Sequence, residues 1–172
     1  MGKYILIICV FCTCSIIGYL LGEIYRKRPL ELKECYKGII LLENQVVYNN
    51  TPLPQALREI SDKMKDVYQN ILKEAAVELE EGYKGSVFEI FKELYLKNKN
   101  DLYIRDEDKK ILSDLFSSLG DTGVYGQEKV FKVALENLKI NINEADEVAK
   151  KNTKMYRYLG ICFGAMISII LI

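Results

Sequence analysis

The sequence predicts an all-α protein, a cytoplasmic six-helix antiparallel bundle flanked by N- and C-terminal transmembrane helices. Three observations carry that expectation. Through the middle of the chain, apolar residues recur at three- and four-residue steps, as amphipathic helices require. Pro52 and Pro54, and the glycine pairs further on, stand between those periodic runs. All charged side chains except Lys3 lie between Glu23 and Arg157, so residues 4–21 and 158–172 form uncharged ends.

The N-terminal run is 18 uncharged residues, about 27 Å long as a helix and close to the thickness of a hydrocarbon core. A cleaved signal peptide would want a basic start and a small-residue cleavage site. Here only Lys3 precedes the run, no A-x-A-like site follows, and the basic cluster Arg26-Lys27-Arg28 comes after it. Lipoprotein-type cleavage fits no better, because Phe11 precedes Cys12 and a cut before Cys14 would leave an apolar stub. An uncleaved membrane helix over residues 1–22 is the expectation. Arg26, Lys27 and Arg28 follow it, and Lys154, Tyr156 and Arg157 precede the second apolar run. Both clusters border the middle, so the positive-inside rule makes residues 23–154 cytoplasmic and makes these six the membrane-interface residues. The C-terminal anchor, residues 155–172, has an uncharged run about 22 Å long as a helix. Gly160 and Gly164 form a small-x-x-x-small pair that would let a second helix approach, a spacing also common by chance.

Within the middle, Pro29 suits a helix's first turn, and a helix over 30–47 follows. Residues 48–57 then read as a tight corner: Thr51 is the expected N-cap, and Pro52, Leu53 and Pro54 start the next helix. That helix spans 54–81, with room for a second corner near 61–66. A turn over 82–86 precedes a helix to about residue 97. Asp106 is expected to cap a helix through Leu119, and glycines 120–126 mark a turn. The last helix runs from about Phe131 without Pro or Gly until Gly160, and so is expected to continue into the C-terminal apolar run. Leu53, Ala56, Leu57 and Ile60 are matched by Val87, Ile90, Phe91 and Leu94 at an offset of 34. Such a repeat fits stacked helical hairpins or coincidence.

The composition excludes several chemistries. The chain has no His, so His-dependent triads and His-ligated metals are out. Four of the five cysteines, Cys9, Cys12, Cys14 and Cys162, lie in the apolar ends, leaving Cys35 alone in the middle. With 24 basic and 24 acidic residues, no bulk basic face for nucleic acid is expected. Asp121-Thr122-Gly123 copies the aspartic-protease triplet but stands in a helix connection. Asp106-Glu107-Asp108 lacks the glycine and distal Glu of a calcium loop. No catalytic, cofactor or metal residue is therefore assigned. The tyrosines at helix ends and turns (Tyr48, Tyr83, Tyr95, Tyr103 and Tyr125) either cover core edges or form a partner surface.

Arg28-Pro29-Leu30-Glu31-Leu32, Leu41-Leu42-Glu43, the run from Tyr48 through Thr51-Pro52-Leu53-Pro54-Gln55-Ala56-Leu57, Leu119-Gly120 with Gln127, and residues 154–160 together resemble the stage III sporulation protein AB family of endospore-forming Firmicutes. The resemblance covers nearly the whole chain, and its most specific parts are the corner and the block 154–160. It implies kinship with type II secretion inner-membrane platform proteins of the GspF/PilC type, whose cytoplasmic domain is a six-helix bundle. It further implies a non-enzymatic scaffold in the mother-cell membrane around the forespore, part of a secretion-like channel. The expected partners are a secretion-type ATPase (stage III sporulation protein AA), other stage III channel subunits and membrane lipid. The second reading is a membrane-tethered adaptor or carboxylate-using membrane enzyme unrelated to secretion.

Overall fold

The computed structural model describes residues 2–82, 86–119 and 124–171. Six α-helices and no strands are present among them: α1 (Gly2–Glu43), α2 (Leu53–Ser61), α3 (Asp66–Glu80), α4 (Val87–Lys97), α5 (Asp106–Ser118) and α6 (Val124–Leu171). The all-helical expectation holds. The Asp121-Thr122-Gly123 triplet, Gly120 and residues 83–85 lie outside the described residues.

α1 differs from the sequence-based expectation. Pro29 does not begin a helix; it sits inside one. A proline there removes a hydrogen bond and crowds the carbonyl four residues back, at about 3 kcal/mol or more. The surrounding Glu, Arg, Lys and Leu are strong helix formers, and they carry the helix across it. Pro29 also closes the first of two compact units. Unit 1 comprises Met1–Pro29 with Asn143–Ile172, and unit 2 is Leu30–Ile142. α6 is likewise one uninterrupted 48-residue helix, as its unbroken pattern predicts, and it starts at Val124, so Gly126 is helical rather than part of a turn. Among the described residues one helix is long and apolar enough to cross a membrane, within Ile7–Tyr48. The uncharged end of α6, 158–171, is shorter, about 21 Å.

Unit 2 is built on large buried side chains. Phe131, Leu32, Leu57, Ile60, Ile90, Leu115 and Leu138 are all under 2 % exposed. α2 packs on α3, α3 on α4 and α4 on α5. The Phe91 and Phe116 rings stack across the α4–α5 pair, 3.7 Å apart between centroids. Both halves of the 34-residue offset are buried at equivalent places: Ala56, Leu57 and Ile60 on α2, and Ile90, Phe91 and Leu94 on α4. The second corner is real, at 62–65 between α2 and α3. α1 holds it: Glu34 accepts from the Lys65 N–H at 3.1 Å, the Lys37 ammonium donates to the Lys63 carbonyl, and Gly38 leaves room for Met64. A Cβ on Gly38 would lie 2.9 Å from the Met64 methyl.

Helix starts follow local chemistry. Ser86 accepts from the Glu89 N–H while Glu89 accepts from the Ser86 N–H, a reciprocal cap on α4. At α5 the expected cap, Asp106, does not serve. The Asp108 carboxylate reaches back to the Arg105 N–H at 2.9 Å, while exposed Asp106 pairs with Lys109 at 2.5 Å. Asp108 wins because it is fully buried and its other oxygen accepts from the Asn141 amide of α6 at 2.7 Å.

Candidate functional site

The corner at 48–54 begins with a wide turn. The last residues of the first helical run, Asn44–Tyr48, wind as a π-helix, and Asn50 takes a left-handed conformation with φ of 51°. Asparagine tolerates that region better than most residues. Gln45 organises the turn. Its backbone carbonyl accepts from the Thr51 N–H at 2.9 Å, and its side-chain oxygen accepts from the Thr51 hydroxyl and the Asn49 amide, each at 3.0 Å. Its amide donates to Glu59 on α2 at 2.8 Å. Thr51 is therefore not the N-cap of α2. Pro52 holds that place, Leu53 and Pro54 form the first two helical positions, and the Pro52 carbonyl accepts from the Ala56 N–H. Thr51 stands one residue before that place, and its hydroxyl donates to Gln45 instead of accepting from the first turn. Tyr48 is exposed at this turn, beside a shallow polar groove that includes Glu43, Glu128, Lys132 and Lys139. Partial burial, then the neighbouring Glu128 charge, raises the Glu43 carboxyl above its ordinary pKa.

In unit 1, α1 and α6 run antiparallel and touch through glycines. A Cβ on Gly18 would fall 2.7 Å from the Tyr156 carbonyl oxygen and 2.8 Å from Gly160 Cα. One on Gly160 would fall 2.9 Å from the Cys14 carbonyl oxygen. Gly164 faces Phe11 and Cys14, and Gly22 faces Thr153. The backbones are as close as glycine permits, so no other residue fits at 18 or 160 without the helices moving apart. The buried Thr153 hydroxyl donates to the Gly22 carbonyl at 3.0 Å.

Toward the charged end of this pair, Glu23 accepts from Arg157 at 2.9 Å and from Arg26 at 3.3 Å. Tyr156 stacks on Tyr25 with ring centroids 5.4 Å apart, and the Arg157 guanidinium lies 4.6 Å from the Tyr19 ring centre. Lys27 and Lys154 are exposed, whereas Arg28 is buried. Of the six residues assigned to the membrane interface, the structure thus brings Arg26 and Arg157 together around Glu23, with Tyr156 beside them. Gly18, Gly22, Glu23 and Thr153 were not singled out from the sequence. The spacing Gly18-x-x-x-Gly22 mirrors Gly160-x-x-x-Gly164 and was the available signal.

Unit 2 also contains an apolar cavity of about 370 Å³, open on one side and lined by residues of α1 to α5 and of the connection carrying Leu102 and Ile104. On its wall burial pushes the Cys35 thiol up to about 12, and the phenol of Tyr68 beside it is raised as well, first by burial. Both shifts report a medium that disfavours charge. Among the described residues no group of three or more acidic or cysteine side chains is arranged to hold a metal ion.

The chain matches the family described as stage III sporulation protein AB over residues 3–172. Stage III sporulation protein AB of Bacillus subtilis (strain 168) is 23 % identical over 154 residues, covering 90 % of each chain. A solved structure of a stage III sporulation protein AB superposes with a TM-score of 0.66 at 20 % identity, covering 72 % of this chain and 96 % of that one. At that identity the superposition establishes a shared fold.

Proposed function

The chain belongs to the stage III sporulation protein AB family, and from that premise we propose that it is a non-enzymatic membrane scaffold in a secretion-like channel made during sporulation. Its two apolar helix ends would anchor it as a hairpin in the mother-cell membrane around the forespore. Unit 2, a GspF-like cytoplasmic bundle in this reading, would couple a secretion-type ATPase (stage III sporulation protein AA) to the other channel subunits.

The observation that carries the anchoring is the helix pair of unit 1. Ile16 at 57 %, Leu20 at 58 %, Ile169 at 71 % and Ile170 at 76 % are exposed on helices whose closest approaches are made at Gly18, Gly22, Gly160 and Gly164. In water that arrangement is inverted, with large apolar groups outside and small ones within. In a bilayer it is the expected one, because lipid tails solvate the outer face and close backbone packing holds the pair. The basic residues at one end of the pair support the placement of unit 2 in the cytoplasm. The scaffold reading draws on a bundle whose polar clusters are committed to structure, as Asp108 and Gln45 are.

Two measurements test the proposal. In a variant with its native cysteines replaced, Asn100→Cys should be shielded from impermeant thiol reagents in intact cells and react after lysis; labelling from outside would sink the topology. Crosslinking from unit 2 in sporulating cells should capture the ATPase or a channel subunit, and recovery of neither would remove the coupling role.

A further inference from the structure

The cavity in unit 2 is too large and too apolar to be a packing defect of ordinary size. Native cores hold few voids larger than a water molecule, and an engineered apolar cavity of about 150 Å³ already takes up benzene. This one has about 370 Å³. Its wall is mostly apolar, with Ile39, Leu57, Ile71 and Phe116 among its residues, and the Cys35 thiol and Tyr68 phenol are scattered polar groups on it. Scaling from the benzene-sized cavity, it has room for on the order of a dozen carbons. It is not shaped for a partner helix. Helices are 10–12 Å across with side chains, so two turns take up roughly 900 Å³, and five helices line this space rather than two flanking a groove.

The mouth supplies the second observation. Two lysines line the cavity, Lys92 and Lys109. Lys109 is engaged: it bonds Asp106 at 2.5 Å and lies 4.9 Å from the centre of the Tyr95 ring. Lys92 is exposed and makes no ion pair among the described residues. One helical turn further along α4, Leu96 is 59 % exposed and forms an apolar lip on the same side. A single uncommitted cation beside an apolar lip, over an apolar interior, is the chemistry of a site for an anionic amphiphile.

We propose that this cavity binds one medium-length acyl chain with an anionic head group, the tail among Ile39, Leu57, Ile71 and Phe116 and the head against Lys92. The site is independent of the channel reading, because it requires only unit 2.

The test uses the full chain in phosphatidylcholine nanodiscs. The protein has no tryptophan, so Leu96→Trp places a single reporter at the lip. Titration with 2-bromododecanoate, whose bromine stands beside the head group, should quench it saturably, and unlabelled dodecanoate should reverse the quenching. Competing acids of increasing length should each bind about three- to fourfold tighter per added CH₂, as apolar burial requires, up to about a dozen carbons, and then plateau. Lys92→Glu should weaken dodecanoate at least fivefold while leaving dodecyltrimethylammonium unaffected or improved. Leu72 also lines the cavity, and Leu72→Trp, which fills part of it, should lose the bound acid when binding is read by native mass spectrometry. A bromo-acyl chain carried on phosphatidylglycerol in the disc separates the two sources of this chemistry: quenching there assigns a lipid, and quenching only by the free acid assigns a fatty acid. Non-saturable quenching, affinity that climbs with length without a plateau, or indifference to Lys92→Glu would each overturn the site. So would a photoreactive residue at 96 that captures a protein segment and is not competed by dodecanoate.

Discussion

Units 1 and 2 are held together by opposite uses of side-chain size. In unit 1 the smallest residues meet, with Gly18 on Gly160, Gly164 on Phe11 and Cys14, and large apolar groups turned outward. In unit 2 the largest apolar groups, such as Phe131, Leu57 and Ile90, are turned inward. On the anchoring proposed for unit 1, the difference follows from what surrounds each set. Expelling apolar area from water stabilises a core by about 25 cal/mol per Å², and large side chains exploit that best. Between helices in lipid there is no such gain, so contact depends on van der Waals packing and short backbone approach. The contrast supports the anchoring role proposed for unit 1, and substitutions of opposite sense should break the two units.

The largest expected effect is enlargement in unit 1. Gly164→Cys would put its Cβ about 3.3 Å from that of Cys14, near the range a disulfide spans. With the other native cysteines replaced, oxidation should crosslink the two helices within the chain. Adding Gly18→Leu should abolish that crosslink and leave the unfolding midpoint of unit 2 unchanged. A crosslink that survives Gly18→Leu means the glycines do not set the spacing.

Truncation in unit 2 comes next. Phe131→Ala should cost about 3–5 kcal/mol in denaturant unfolding, with the Cys14 crosslink retained. A cost below about 1 kcal/mol would show that Phe131 is not a core residue of the kind its burial implies.

Polar groups sharpen the comparison further. Asp108→Ala strands the Arg105 N–H and the Asn141 amide and should cost about 1–3 kcal/mol. Thr153→Val in unit 1 removes one hydroxyl bond to the Gly22 carbonyl and should cost roughly 0.6 kcal/mol, the scale measured between helices in lipid. Equal costs would say that the two surroundings are alike.

The smallest effect is electrostatic. The carboxyl of Glu43 has a raised pKa in the folded protein, so folding favours its protonated form. The charged form is therefore mildly destabilising above the folded pKa. That penalty fades as pH falls through the folded pKa, and it is gone below the unfolded value of about 4.3. Glu43→Gln should raise the melting temperature slightly at pH 7 and make no difference at pH 4. A gain that persists at pH 4 would point to a cause other than charge.

The helices themselves were legible because their signal is local. The 3.6-residue period of apolar positions, the Ser86–Glu89 spacing and the proline corner each depend on residues within one or two turns. What misled was also local reasoning, applied where distant partners decide. Thr51 has the chemistry of an N-cap, yet the helix begins one residue later, behind Pro52, and the Thr51 hydroxyl donates to Gln45. Asp106 looks like the cap of α5, yet it is Asp108 that is buried, with a partner in Asn141, 33 residues away. Pro29 looks like a helix start, yet helix formers on both sides carry α1 through it.

By itself, the sequence determined the helical class, the apolar ends, the absence of histidine chemistry and the family. Those depend on composition, period and short motifs, which are written along the chain. Tertiary structure alone decided that Gly18 meets Gly160, that Glu23 gathers Arg26 and Arg157, and that five helices leave an apolar space beneath Lys92. Each requires segments far apart in the chain to come within a few ångströms, and no local pattern specifies that distance.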